Sequence, residues 1–366
     1  MMSTISLVKE HCFGCSACKQ ICPVSCISLE PDSKGFLYPI VDELQCIGCG
    51  LCLQVCPYIT DQSLGAELYP NTLVYAAKHE DRTIRMQSSS GGAFTAISDY
   101  VLEQKGVIYG VAYDNTMTAR HIRVDSPQQR DSLRGSKYVQ SDLGDTFKEV
   151  EKDLNLDRTV LFTGTPCQVA GLRNYLQNEY EKLLLVDLVC YGVPSPKIFT
   201  EYMFEAEKKE GRKVIDCTFR EKSKGWRNMV LQLDFGSKIT TLDSFDSPYY
   251  TLFLKRTILR PSCHECKFCN FNRSGDITIG DFWGIEESLP EFEDEKGVSL
   301  LLVNSKKGKT LFKKIAKRLD YIESTHEKCL QPPFLEPTPP NKDKDAFWQE
   351  YEAYGYSYVA NKYGRS

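Results

Sequence analysis

The sequence has 366 residues, 42% hydrophobic and 26% charged, with 16 cysteines and a formal net charge of −4. That composition excludes a collagen-like chain, a disordered chain and a disulfide-stapled miniprotein, and the length allows two or three units with cores of their own. The balance of 45 basic against 49 acidic residues gives no overall attraction to nucleic acid or anionic lipid, so neither is expected as a partner. The amino-terminal segment has no apolar stretch of signal-peptide length, and no run approaches the roughly 18 apolar residues of a membrane span. A cytoplasmic protein is expected, in which reduced cysteines serve metals or catalysis rather than bridges.

An internal repeat opens the chain. Cys12-Phe-Gly-Cys15-Ser-Ala-Cys18-Lys-Gln-Ile-Cys22-Pro23 recurs as Cys46-Ile-Gly-Cys49-Gly-Leu-Cys52-Leu-Gln-Val-Cys56-Pro57, every cysteine displaced by 34 positions. Three cysteines spaced two apart wrap a loop so that three thiolates meet three iron corners of one cubane. In two-cluster ferredoxins the fourth, followed by proline, ligates the other cluster. One 4Fe-4S cluster is therefore expected on Cys12, Cys15, Cys18 and Cys56, and a second on Cys46, Cys49, Cys52 and Cys22. Zinc is the rival, but its sites use separated Cys-x-x-Cys pairs rather than four-cysteine runs ending in Cys-Pro. Between the repeats, Ile27-Ser-Leu-Glu and Gly35-Phe-Leu-Tyr-Pro-Ile read as short strands joined by a turn at Pro31-Asp32-Ser33.

Beyond the polar stretch 60–67 the texture changes. Leu73-Val-Tyr-Ala-Ala, Val107-Ile-Tyr-Gly-Val-Ala-Tyr, Thr159-Val-Leu-Phe and Leu183-Leu-Leu-Val-Asp-Leu-Val read as strands, with helical patterns at 93–102 and 168–176 between them. That alternation predicts an α/β unit with part of its sheet parallel. Two more strands between Val214 and Phe235 flank the basic turn Arg220-Glu-Lys-Ser-Lys-Gly-Trp226 and read as an antiparallel excursion.

Three small-residue segments stand where strands give way to helices: Ser88-Ser-Ser-Gly-Gly-Ala-Phe, Gly135-Ser-Lys-Tyr, and Gly164-Thr-Pro-Cys-Gln with Pro166 placed to start a helix. Backbone amides at such junctions cradle phosphates, although a Gly-Gly loop is as readily a plain turn. There is no Walker lysine pattern and no Gly-x-Gly-x-x-Gly fingerprint, which argues against an ordinary ATP or NAD site. A second cysteine group, Cys263-His-Glu-Cys266-Lys-Phe-Cys269, offers three corners of a third cubane without a Cys-Pro to follow. A fourth ligand must then come from a distance, and Cys167 and Cys190 stand at strand ends where functional loops gather. Zinc is a closer rival here than at the repeat, and His264 reads as a neighbour rather than a ligand. Cys26, Cys217 and Cys329 are left as core thiols.

Taken in order, Ser-Gly-Gly-Ala at 90–93, Gly135-Ser-Lys-Tyr, Gly164-Thr-Pro-Cys-Gln-Val, Cys190, Pro261-Ser-Cys-His-Glu-Cys and Gly275-Asp-Ile-Thr-Ile-Gly-Asp-Phe-Trp-Gly resemble the beta-subunit family of coenzyme F-420 hydrogenases and dehydrogenases. The resemblance covers residues 70 to 330. It implies FAD, at least one 4Fe-4S cluster and, in several members, a fused two-cluster ferredoxin, and it implies a flavoprotein more firmly than any one substrate. It carries the ligand role to Cys167, Cys190, Cys263 and Cys266. This sequence departs by also having Cys269, so Cys263 and Cys266 rank first and one of Cys167, Cys190 and Cys269 is surplus. Under the same resemblance Ser90, Gly91, Gly92, Lys137, Thr165 and Asp281 form the expected flavin site, with a capping or turn role the alternative for Asp281.

The expected fold is an α+β ferredoxin-like module (1–65) joined to a larger α/β, mixed-sheet flavin-binding domain (66–330), then a proline-rich strap and carboxy-terminal helix (331–366). In that helix Phe347, Trp348, Tyr351 and Tyr354 would form one face. Clusters pass single electrons, most organic substrates take two, and a flavin reconciles the two. The expected function is an iron-sulfur flavoprotein oxidoreductase that exchanges electrons with ferredoxin or another external partner. Through FAD it would reduce or oxidise an organic substrate or a deazaflavin coenzyme. The alternative is a non-enzymatic electron-transfer subunit serving a separate catalytic partner. Catalytic residues, oligomeric state and direction of flow are left open.

Overall fold

The computed structural model describes residues 5–60 and 72–365; the boundary expected between 65 and 66 lies outside them. In the amino-terminal module β1 (Ile27–Pro31) pairs antiparallel with β2 (Leu37–Val41), Ile27 opposite Val41. Asp32 closes their turn by accepting hydrogen bonds from the Lys34 and Phe36 amides at 3.0 and 2.8 Å. This local side-chain-to-backbone bonding is why aspartate favours turns. Short helices, Ala17–Ile21 and Leu51–Gln54, begin inside the two cysteine runs.

The rest of the chain is built on a mixed sheet. Its strands, with those of a smaller sheet, are β3 (Leu73–His79), β4 (Val107–Tyr113), β5 (Ala119–Val124), β6 (Val160–Gly164), β7 (Leu183–Leu188), β8 (Asp216–Glu221), β9 (Val230–Asp234), β10 (Ile239–Asp243), β11 (Ile277–Asp281), β12 (Ser299–Val303) and β13 (Leu319–Ser324). The eight-stranded sheet runs β13-β3-β12-β11-β7-β6-β4-β5. Its centre, β11-β7-β6-β4, is parallel and its outer pairings are antiparallel. β8, β9 and β10 form a separate antiparallel sheet, which extends the expected excursion by one strand.

A parallel sheet needs cover on both faces, and the strands supply two apolar sets at period two. Val107, Tyr109, Val160, Phe162, Leu183 and Leu185 pack on one face against helices Thr146–Asn155 and Pro166–Leu176. Ile108, Leu161, Leu184, Val186 and Ile277 pack on the other, with helices Ala93–Glu103 and Lys306–Ile315. β5, β10, β11, β12 and β13 were not expected from the sequence. β12, Ser-Leu-Leu-Leu-Val, is buried along its whole length, so it lacks the polar alternation that marks a half-buried strand.

The carboxy-terminal helix, Lys344–Tyr363, buries Phe347, Trp348 and Tyr351 in the core that also holds helices Pro196–Glu210 and Pro248–Leu254. Tyr354 departs from that expectation. It is 64% exposed and pairs with Tyr358 at a ring separation of 4.7 Å; the helix breaks at Gly355 (φ 76, ψ 178), and its buried face resumes at Tyr356, Val359 and Ala360. Ahead of the helix the strap crosses the Cys263 loop, where Thr338 donates to the Tyr191 carbonyl and its own carbonyl meets Nδ1 of His264 at 2.7 Å.

Candidate cysteine sites and the carboxyl edge of the sheet

The two amino-terminal runs exchange their fourth cysteines. Burial pushes the Cys15 thiol well up, and Cys56, Cys18 and Cys12 act on it in the same direction. Burial also raises Cys18, with Cys12 and Cys56 adding to it. Cys56 thus stands with Cys12, Cys15 and Cys18, from the far end of the repeat. In the other set, Cys22, Cys46, Cys49 and Cys52 line a cavity of about 150 Å³. Cys26 lines it too, with its Sγ 3.4 Å from that of Cys22, so the thiol assigned to the core from sequence is also a neighbour of this set. Burial lifts Cys26 to about 12, and its bonds to Cys22 and Cys46 add to the rise.

The two sets differ in depth. Cys49 is exposed beside exposed Ile47 and Leu44. The Cys15 set faces inward. A Cβ on Gly171, in helix Pro166–Leu176, would come within 3.0 Å of Cys15 Sγ, so only glycine permits this approach. Gln20 Oε1 accepts from the Phe147 amide, Asn174 donates to the Val55 carbonyl, and Lys267 donates to the Tyr58 carbonyl. His11 stacks on Tyr58 and pairs with Glu265 at 2.8 Å.

On the other side of that contact the five remaining candidates converge. β6, β7 and β11 end at Gly164, Leu188 and Asp281 on one edge of the sheet, the carboxyl edge, where open α/β sheets bind ligands. Cys167 follows β6 and Cys190 follows β7. Burial lifts Cys167 to about 12, Cys266 adding to it, and lifts Cys263 to about 12 with Cys266 and Cys167 adding. Cys190 is raised by burial and then by Cys263, Cys167 and Cys266. Cys266 therefore acts on all three others. Cys269 has Cys266 as its strongest partner, through a thiol hydrogen bond. Phe13, Phe268, Cys167 and Cys266 share one apolar cluster, which joins this group to the inner amino-terminal loop.

A relay of side chains fixes the Thr165-Pro166-Cys167 turn. The Thr165 amide donates to Gln168 Oε1, Gln168 Nε2 donates to Ser141 Oγ, and Ser141 meets His121 Nδ1 at 3.1 Å. His121 Nε2 faces the Thr163 carbonyl, so a neutral ring protonated at Nε2 satisfies every bond, and burial holds its pKa down to about 4. Thr165 Oγ1 lies 3.2 Å from Cys167 Sγ.

The six residues expected at a flavin fare unevenly. Ser90, Asp281 and Thr165 reach the carboxyl edge, but Ser90 donates to the Val298 carbonyl at 2.8 Å. A Cβ on Gly91 would meet the Ala77 oxygen at 2.3 Å, so its bareness serves packing against β3; Gly92 opens helix Ala93–Glu103 with φ 92. Lys137 is held by the Ser132 and Arg134 carbonyls in its own turn, and burial lowers it to about 8. Asp281 is neither cap nor turn aspartate. It pairs with buried Arg220 at 2.6 Å.

The sequence reading passed over the residues around that pair. Arg220 also reaches the Trp226 carbonyl and the Tyr138 hydroxyl, and Trp226 stacks on Trp283 at 4.9 Å. Lys222 donates to the Arg85, Ser90 and Lys296 carbonyls, and burial pulls it down to about 7. Nε of Arg220 and Nε1 of Trp226 are buried without a partner. The available signal was the basic turn Arg220 to Trp226, read only as a hairpin connection. Among the described residues no helix is long and apolar enough to cross a membrane, and no group of three or more His, Cys, Asp or Glu side chains is arranged to hold a metal ion.

Comparison with known proteins follows the same division. Residues 11–59 match the model of the 4Fe-4S dicluster domain. Residues 74–148 match the N-terminal domain, and residues 157–328 the C-terminal domain, of the coenzyme F420 hydrogenase/dehydrogenase beta subunit. No curated protein matches the chain. Among solved structures, the xenon-derivatized F420-reducing [NiFe] hydrogenase complex from Methanosarcina barkeri is similar over 79% of this chain and 90% of that chain, at 17% identity and a TM-score of 0.48. With both halves of one subunit matched in order behind a dicluster domain, the chain belongs to the coenzyme F420 hydrogenase/dehydrogenase beta-subunit family and carries a 4Fe-4S module ahead of it.

Proposed function

We propose that the protein is an iron-sulfur oxidoreductase in which electrons pass between the exposed Cys22/Cys46/Cys49/Cys52 set, the inner Cys12/Cys15/Cys18/Cys56 set and a third set on Cys167, Cys190, Cys263 and Cys266. A flavin held at the carboxyl edge would supply the exchange with an organic substrate or deazaflavin. The observation that supports the reading is the approach of Cys56 to Cys12, Cys15 and Cys18 and of Cys22 to the Cys46 loop, which fits the exchange that two-cluster ferredoxins use. The donor sets fit clusters chemically. Several buried thiols that raise one another's pKa cannot all ionise without a cation, and iron supplies one. Bound at these places, 4Fe-4S clusters would supply single-electron steps and a flavin would supply the conversion to pairs.

The chain's own residues divide the remaining work. Ile47 and Leu44 beside Cys49 give an external donor or acceptor, such as a ferredoxin, an apolar place to dock. Gly171 lets the inner loop approach helix Pro166–Leu176, and Phe13 and Phe268 exclude water between the inner and third sets. The His121-Ser141-Gln168 relay holds Cys167 in position. Cys269 is assigned as the surplus thiol because the family resemblance carries the ligand role to Cys167, Cys190, Cys263 and Cys266, although Cys269 stands against Cys266, Cys190 and Cys263 as well. The unpartnered donors of Arg220 and Trp226 suit a polar group at the carboxyl edge better than the six expected residues, whose Ser90, Gly91, Lys137 and Asp281 already serve the fold.

That same internal use favours the second reading, an electron-transfer subunit that hands electrons to a separate catalytic partner. Anaerobic reconstitution with iron and sulfide separates the two. About twelve irons per chain, four for each cubane, together with flavin absorption and flavin released on denaturation, support the enzyme. Full iron without flavin supports the subunit, and about eight irons would remove the third cluster.

A further inference from the structure

Four buried arginines stand out among the described residues, and one differs from the rest. Arg130 pairs with Asp99 at 2.6 Å, Arg220 with Asp281 at 2.6 Å, and Arg273 with Asp187 at 3.5 Å. Arg260 is 0% exposed, yet no carboxylate among the described residues lies within ion-pair distance of it. Its donors meet only neutral oxygens: Nε the Cys12 carbonyl at 2.6 Å, Nη1 the Gln140 side chain at 2.8 Å, and Nη2 the Leu37 carbonyl at 2.9 Å. The guanidinium lies over the rings of Tyr38 and Phe36 at 4.4 and 5.4 Å. Burial raises the Tyr38 hydroxyl to about 12, so at neutral pH it carries no compensating charge. A buried charge without an opposite charge is among the costliest features a fold can hold, and arginine does not escape it by losing its proton.

The position of Arg260 supplies what is missing. It holds the carbonyl of Cys12, in the inner set, and opens the turn Pro261–Glu265 that carries Cys263, in the third set. Ser262 Oγ also donates to the Cys12 carbonyl, at 3.0 Å. A Cβ on Gly14 would come within 2.8 Å of Arg260 Nη1, and Gly14 has φ 70, so the inner loop is shaped around the guanidinium. We propose that Arg260 is the shared counter-charge of the inner and third cysteine sites, stabilising the more negative, reduced state of the clusters bound at both. This rests on the cluster assignment proposed above. A 4Fe-4S cluster with four thiolates is anionic and gains a further negative charge on reduction. A fixed positive charge between two such sites therefore raises both reduction potentials, whereas the outer Cys49 set, on the solvent side of the module, is not served.

The test uses the full chain reconstituted anaerobically, with iron counted and each cluster followed by paramagnetic resonance during a redox titration. The outer signal is assigned by its loss in Cys49→Ser. In Arg260→Gln the midpoints of the inner and third clusters are expected to fall while the outer midpoint holds, and Arg260→Lys is expected to restore much of the shift. Gln140→Glu provides an independent arm: it sets a carboxylate against an intact guanidinium and should lower the same two midpoints. Unchanged midpoints in a fully loaded Arg260→Gln or Gln140→Glu protein, or an equal shift of all three clusters, would overturn the proposal. A wild-type chain that takes up no cluster overturns the cluster assignment with it, and the iron count tells the two failures apart.

Discussion

In the amino-terminal module every chemistry-bearing residue lies between Cys12 and Cys56, on loops whose spacing fixes which thiols can meet. At the carboxyl edge of the large sheet, Ser90, Thr165, Arg220 and Asp281 come from widely separated segments and are brought there only because β3, β6 and β11 end on the same edge of one sheet. The module's cysteines have few internal partners to compete for them, since a buried thiol is a weak hydrogen-bonding group. The edge residues are strong donors and acceptors, and the fold already uses most of them: Ser90 on Val298 and Asp281 on Arg220. A site made of soft ligands is legible from spacing. A site made of hard polar groups is not, because each such group must be satisfied somewhere in a buried structure whether or not a ligand binds.

Substitution of single cysteines breaks the comparison most directly. Cys56→Ser should remove the inner cluster, about four irons, and leave the outer signal, while Cys49→Ser does the reverse. If Cys56→Ser instead removes the outer cluster, the exchange between the runs is wrong. Cys263→Ser should cost another set of about four irons, whereas Cys269→Ser keeps them; equal losses would make Cys269 a ligand.

The polar edge is tested through stability. Asp281→Asn leaves the Arg220 guanidinium buried without its charge partner and should destabilise the fold by about 3 kcal/mol in urea titrations, the low end for a broken buried pair because Asp281 is partly exposed. An unchanged midpoint would mean that the pair is dispensable and the arginine free to serve a ligand. His121 gives an effect of similar size, but one confined to acid pH. Its folded pKa of about 4 lies below the ordinary value of 6.5, so the unfolded chain takes up the proton first. Stability should therefore be full above pH 6.5 and fall by up to about 3 kcal/mol as the pH drops to 4. His121→Gln should flatten that window in acid denaturation curves, whereas an unaltered acid limb would assign the loss to other groups.

Spacing by itself picked out the amino-terminal segment that matches a 4Fe-4S dicluster domain and the eight cysteines proposed as its ligands, because a loop of three cysteines has only one way to present its thiols. Alternating apolar runs likewise disclosed β3, β4, β6 and β7. β12 escaped although it is a continuous buried run like β7, and the edge strand β13 depends on pairing with β3, far away in sequence. Only the tertiary structure brought Cys167 and Cys190 to the Cys263 loop, turned Asp281 toward Arg220, set Cys26 beside Cys22 and left Arg260 buried without a carboxylate. Local chemistry is written in intervals along the chain. Whether a charge is compensated depends on every group that packs around it, and those neighbours exist only once the chain is folded.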